Sequence, residues 1–213
     1  MTEVPDRTPP RDTAAGTLPA GAAGGRPAGS GTPAGAPSVA VCPGSYDPIT
    51  LGHLDVIGRA ARLFGSVVVA VATNASKTTL LDAPARVELA RSAVADLPNV
   101  RVDLVPGLLV DFCRDVGATA LVKGLRGGAD YDAELPMALM NRHLTGIETV
   151  FLPADRSVAH IASSLVKDVA RHGGHIEDLV PAGVSGAVLA RLADLGHLGP
   201  AGVAGPTTSD RRG

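Results

Sequence analysis

The stretch Pro43-Gly44-Ser45-Tyr46-Asp47-Pro48-Ile49-Thr50-Leu51-Gly52-His53 sets a hydroxyl, an imidazole and glycines between an apolar run and a segment with helical spacing. Glycine allows close approach of the backbone to a ligand. His53 falls at the start of the helical segment, where free N–H groups and the helix dipole favour an anion. An imidazole there is placed to donate a hydrogen bond to a phosphate oxygen. The alternative is a helix-capping loop with an incidental histidine. A lone Gly-His pair would leave that alternative ahead, and the whole string does not. No Ser-His-Asp triad or H-E-x-x-H metal helix is evident. His172 and His175 flank Gly173 and Gly174. Cations at a helix C-terminus explain them better than a metal pair, because no cysteine or carboxylate cluster completes a zinc set.

The elements that must position these residues alternate along the chain. Val39–Cys42 is a short apolar run. Leu54, Ile57, Ala61 and Phe64 give helical spacing to the segment from His53. Ser66–Ala72 is a continuous run rich in valine, as expected of a strand buried on both faces. Pro84 opens a helix running to about Ala95. Val100–Leu104 reads as a strand, and Leu108–Val116 as a short helix capped by Gly117. Ala120–Val122 is a fourth strand, followed by a helix to His143. Thr149–Leu152 is a fifth, and Ser164–His172 and Ala182–Ala193 are helices. Alternating strands and helices predict an α/β fold, a doubly wound five-stranded parallel sheet of Rossmann type. Ligands of such sheets sit beyond the carboxyl ends of the strands, where strand order reverses.

Composition narrows the function classes. A net charge of −2 marks no global nucleic-acid binder, so anion binding must come from a local cluster. Aromatics at 2% and the absence of tryptophan argue against a stacking platform for single strands. Cys42 and Cys113 read as reduced thiols of a cytosolic protein. No apolar run approaches the roughly 20 residues of a membrane helix, and the N-terminus lacks the order of a secretory signal. Residues 1–38 and 196–213 are dominated by Gly, Pro, Ala and Thr without hydrophobic period, and are expected to be disordered tails around a domain at 39–195.

Thr50-Leu51-Gly52-His53 resembles the T/HxGH signature of the nucleotidyltransferase superfamily. The longer string PGSYDPITLGH is similar to the PGTFDPxTxGH string of the bacterial phosphopantetheine adenylyltransferase family. The resemblance continues in order through Ala75-Ser76-Lys77, Lys123-Gly124-Leu125-Arg126, Met140-Asn141-Arg142-His143 and Ser163-Ser164-Leu165-Val166-Lys167. It covers about residues 39–192. It implies transfer of the adenylyl group of ATP to 4′-phosphopantetheine, with Mg2+ delivered by ATP and a homohexameric assembly. Such chemistry needs no protein nucleophile, because the attacking oxygen already belongs to a phosphate. Positioning and charge stabilisation at the α-phosphorus suffice.

Residue by residue, the resemblance implies the following. Ser45 would bond the phosphate of phosphopantetheine close to the ATP α-phosphate, and Tyr46 would join it in binding ATP. His53 would contact the α-phosphate. Lys77 and Lys123 would hold the attacking phosphate from two sides. Gly124, Leu125 and Arg126 would meet ATP, with Arg126 on its polyphosphate. Glu134 would lie on the nucleotide side. Val158, Ala159, His160, Ile161, Ala162, Ser163 and Ser164 would surround the triphosphate and adenine. Leu109 would line the pantetheine arm. Taken singly, Lys77 and Arg126 read equally as solvated cations, Glu134 as an exposed helix residue, and Ser163 and Ser164 as N-caps. Nicotinate-mononucleotide adenylyltransferases and cytidylyltransferases share Gly-His without the later motifs as placed here, and a non-catalytic ATP-binding module is a further alternative.

The chain departs from the family pattern at several positions. Ser45 stands for threonine, Leu51 for a common asparagine and Ala133 for a common tyrosine. Val158 stands near a usual aromatic, His160 at one, and Ala162 for a serine; His160 is expected to replace ring packing. Pro136 falls inside the helix that carries Glu134. Proline there costs about 3 kcal/mol, so that helix is predicted either to kink or to begin at Ala133 or later.

Overall fold

The computed structural model describes residues 38–73 and 78–198. The expected tails fall outside the described residues apart from Ser38 and 196–198, and so does Lys77 with Ala75 and Ser76 before it. The strands are β1 (Val39–Gly44), β2 (Ser66–Ala72), β3 (Val100–Val105), β4 (Ala120–Leu125) and β5 (Glu148–Pro153). The helices are α1 (Leu51–Leu63), α2 (Ala83–Ala93), α3 (Leu109–Asp115), α4 (Gly128–Thr145), α5 (Ser163–Arg171) and α6 (Val184–Asp194).

All strands pair in parallel in the order β3-β2-β1-β4-β5. β1 registers against β2 from Val39↔Ser66 to Gly44↔Val71, and against β4 through Ala40↔Ala120 and Val41↔Leu121. Strand order therefore reverses at β1, between β2 on one side and β4 on the other. The alternation of side chains on a strand splits the interior into two cores. Ala40, Cys42, Val67, Val69, Val71 and Val122 meet apolar residues of α1, α2, α5 and α6. Val41, Val68, Ala70 and Leu121 face the other way, toward Cys113 and Phe112 of α3 and Ile147. Helices thus cover both faces, and the doubly wound sheet predicted above is what forms.

The local signals act as chemistry requires. Asp82 caps α2 by accepting from Ala85 N–H at 2.8 Å, with Pro84 in the first turn. Gly117, Gly146 and Gly173 follow α3, α4 and α5 with φ of 67°, 76° and 76°, where a Cβ would be strained.

Two expectations need correction. β4 continues to Leu125, because Lys123, Gly124 and Leu125 pair with Phe151, Leu152 and Pro153. These residues are strand, not loop. α4 begins at Gly128 and runs through Pro136 to Thr145, so it does not start at Ala133 or beyond. Both Pro136 and Asp132, whose carbonyl loses its helical donor, are exposed. Water can take the place of the missing N–H there.

Candidate active site

A cavity of about 690 Å³ opens at the carboxyl ends of β1 and β4, at the reversal of strand order. Its lining brings together Ser45, Tyr46 and His53, then Lys123, Gly124, Arg126 and Glu134, then Val158, Ile161, Ala162, Ser163 and Ser164, with Leu109 on the α3 side. Leu125, Ala159 and His160 are not among the lining residues. Thr79 and Asp130 are, and sequence reasoning passed over both.

Two glycines make this convergence sterically feasible. A Cβ on Gly124 would lie 2.6 Å from Val56 Cγ2, so α1 packs against β4 only because that side chain is missing. A Cβ on Gly52 would meet the carbonyl oxygens of Val158 and Ile161 at 3.4 Å, so the first turn of α1 and the 158–161 loop also sit in close contact.

His53 is both cap and site. Thr50 is the N-cap of α1, and its backbone N–H donates to His53 Nδ1 at 3.0 Å while its Oγ1 accepts from His53 N–H at 3.4 Å. Because a backbone amide can only donate, Nδ1 is the acceptor and the ring proton belongs on Nε2. The imidazole edge stands against Tyr46 with ring centroids 5.0 Å apart. Burial, and then the charges of Arg126 and Lys123, push the His53 pKa down to about 4. The side chain is therefore a neutral N–H donor at neutral pH.

Among the described residues, the helix start beside it keeps one unused N–H, that of Gly52, on the cavity lining. Leu51 N–H donates to Leu179 O, and the N–H groups of His53 and Leu54 go to Thr50 O. The more open helix start is that of α5. Its N-cap is Ala162, which offers no side-chain acceptor, and Ser163 and Ser164 lie inside the first turn rather than at the cap. Among the described residues, the N–H groups of Ser163, Ser164 and Leu165 have no acceptor. Ser163 Oγ donates to Pro48 O at 2.8 Å, which fixes this start against the first loop. Unused N–H groups at a helix start are donors for an anion.

Both cations of the β4 segment meet carboxylates of α4. Lys123 Nζ lies 2.9 Å from Glu134 Oε1. Arg126 pairs with Asp130 at 2.8 Å, which raises the guanidinium pKa and holds the Asp130 carboxyl below its usual range. The i,i+4 spacing of Arg126 and Asp130 was the signal in sequence for that pair.

Two buried charges form the frame. Asp47 is 3% exposed and accepts from the N–H groups of Leu80 and Leu81 at 2.9 and 2.8 Å, and from Lys167 Nζ at 2.6 Å. It thereby joins the first loop, the segment after β2 and α5. Arg86, also buried, donates from one terminal nitrogen to Ser45 O and to Ala72 O, clasping the ends of β1 and β2. Neither role leaves a periodic signal in sequence.

The Cytidylyltransferase-like family model matches residues 41–169. A phosphopantetheine adenylyltransferase of a Nocardioides species is 58% identical over 154 residues, which are 72% of this chain and 97% of that protein. The Bifidobacterium longum protein of the same name is 57% identical, over 68% of this chain and 88% of its own length. The chain belongs to the phosphopantetheine adenylyltransferase family. A further relative so named, from Frankia casuarinae, is 52% identical over 72% of this chain and 98% of itself. Among solved structures, one from Vibrio parahaemolyticus, titled with nicotinate-nucleotide adenylyltransferase as a candidate activity, aligns with a TM-score of 0.52. That alignment has 19% identity over 71% of this chain and 98% of the other, and it bears on the fold alone.

Of the residues at which the sequence departs from the expected pattern, Ser45, Ala133, Val158 and Ala162 line the cavity, and Leu51, Pro136 and His160 do not. Among the described residues, no group of three or more His, Cys, Asp or Glu side chains is placed to hold a metal ion. No helix among them is long and apolar enough to cross a membrane.

Proposed function

We propose that the cavity takes ATP and 4′-phosphopantetheine and joins them by in-line attack, giving dephospho-coenzyme A and pyrophosphate. The observation that carries this reading is the convergence of Ser45, His53, Lys123 and Arg126 on one cavity, together with the free N–H groups at the start of α5. The attacking oxygen is a phosphate oxygen, so proton abstraction by a side chain is unnecessary. His53, neutral with its proton on Nε2, donates to an oxygen of the α-phosphate as negative charge grows there. Ser45 and Lys123 hold the acceptor phosphate, and Leu109 borders its pantetheine arm. Arg126 and the α5 start take the polyphosphate, with Gly124 beside them on the cavity lining. Lys77, outside the described residues, is the second cation proposed for the acceptor phosphate. Catalysis then rests on orientation and on donors aimed at developing charge.

Mg2+ is proposed to arrive bound to ATP, whose polyphosphate charge it neutralises. The proposed location is the cytoplasm, and the proposed assembly is a homohexamer. The test is pyrophosphate release with ATP, Mg2+ and each of 4′-phosphopantetheine and nicotinate mononucleotide. Release should depend on 4′-phosphopantetheine. Preference for nicotinate mononucleotide, or no release with any acceptor, would defeat the reading.

A further inference from the structure

Asp130 occupies the first turn of α4, one helical turn after Arg126. Its Oδ2 accepts from Arg126 Nε at 2.8 Å and from the Arg126 backbone N–H at 2.9 Å, and its Oδ1 accepts from Nη2 at 2.9 Å. This is a side-on, bidentate pair. A guanidinium has five N–H donors. The pair uses the Nε proton and one proton of Nη2, so the Nη1/Nη2 edge stays open. Both side chains line the cavity. One turn further along α4, Glu134 pairs with Lys123 through a single contact of 2.9 Å. α4 therefore carries carboxylates at the spacing of the two cations that face it.

We propose that Asp130 is a positioning residue, holding the Arg126 guanidinium side-on so that its open edge is presented to the polyphosphate of ATP. The inference rests on the reading of Arg126 as a polyphosphate ligand. An arginine side chain has many rotamers, and immobilising it on binding weakens affinity. Asp130 fixes that side chain before the ligand arrives. Its own negative charge opposes an incoming phosphate, but the pair is partly open to solvent, with side-chain exposures of 43% for Arg126 and 26% for Asp130. Solvent screening weakens that repulsion, and Lys123 adds a compensating charge beside it. Orientation therefore outweighs repulsion.

The experiment is a double-mutant cycle on the full chain, with the dissociation constant of magnesium-ATP measured by calorimetry without acceptor. Asp130→Asn keeps an acceptor for the Arg126 backbone N–H, so melting temperature should change little. It should weaken ATP binding by about ten-fold and leave KM for 4′-phosphopantetheine within about two-fold. In an Arg126→Ala background, Asp130→Asn should cost nothing further. Asp130→Glu, which keeps the charge, should recover part of the loss. ATP binding by Asp130→Asn equal to or tighter than wild type would overturn the proposal, because the carboxylate would then be a counter-ion that phosphate displaces. Equal losses in both backgrounds would also overturn it, placing the effect in the helix rather than in Arg126. If Arg126→Ala alone binds ATP as wild type does, the underlying site reading fails with it, in an arm that contains no change at Asp130.

Discussion

His53 shows how one side chain serves folding and chemistry through different atoms. Nδ1 accepts from Thr50 N–H and closes the cap of α1, while in the proposed mechanism Nε2 carries the proton offered to substrate. The two roles are separable. In His53→Asn the amide oxygen can stand where Nδ1 stood, so the cap survives and the Nε2 donor is lost. Turnover should fall by about 10²–10³ with ATP affinity changed far less and melting temperature nearly kept. His53→Ala should lose the same turnover and about 1 kcal/mol of stability besides. Wild-type turnover in His53→Asn would remove the imidazole from the mechanism. The depressed pKa has its own consequence. Unfolded His53 takes up a proton near pH 6.5, whereas the folded side chain does so only near pH 4. Between those values the unfolded state binds more protons, so stability falls as pH falls. The contribution is complete above about pH 6.5, and about 3 kcal/mol is lost by pH 4. Urea unfolding at pH 7.5 and pH 5 should show wild type losing about 2 kcal/mol more than His53→Asn. Equal pH dependence of the two proteins would contradict a half-buried, neutral imidazole.

At the scale of elements, strands and helices were legible because their signals are local and periodic. The valine run of β2 matched the strand residue for residue, and Pro84 marked the start of α2. The site string was legible because glycines, hydroxyl and histidine lie within one short segment. The frame was not, because it is made by partners far apart in sequence. Asp47 and Lys167 meet across the fold, and nothing in the residues around Asp47 announces that its carboxylate will also gather the N–H groups of Leu80 and Leu81. Arg86 likewise reads as a helix surface charge until β1 and β2 are paired beneath it. One N–H of the α1 start is engaged from equally far away, since Leu179 O accepts from Leu51 N–H from beyond α5. The buried pair is open to test. Asp47→Asn removes the charge that compensates Lys167 and weakens the link between three elements. It should destabilise the fold by about 3–5 kcal/mol, read by denaturant midpoint, and Asp47→Asn with Lys167→Met should recover part of that loss. An unchanged midpoint in the single variant would mean that these contacts do not hold the loops together.

For the whole molecule, the described residues include an apolar stripe on α4 without a partner. Met137, Met140 and Leu144 are 56%, 52% and 51% exposed on α4, and their spacing of three, then four, residues puts them along one stripe of the helix. Single exposed apolar residues need no explanation, but a stripe on a helix whose one buried residue is Asn141 does. Covering the exposed half of each of these side chains contributes about 1 kcal/mol, a favourable term toward association of identical chains that offsets part of the cost of bringing them together. The stripe shares its helix with Asp130 and Glu134, so contact there would also brace the wall that carries the two cavity carboxylates. Met140→Glu sets a charge in the middle of the stripe. Burying it unpaired would cost several kcal/mol, whereas exposing it in a dissociated chain costs almost nothing. Light scattering should therefore give a hexamer's mass for wild type and a smaller particle for Met140→Glu, with circular dichroism unchanged. Identical masses for the two proteins would mean that self-association, where it occurs, uses another face.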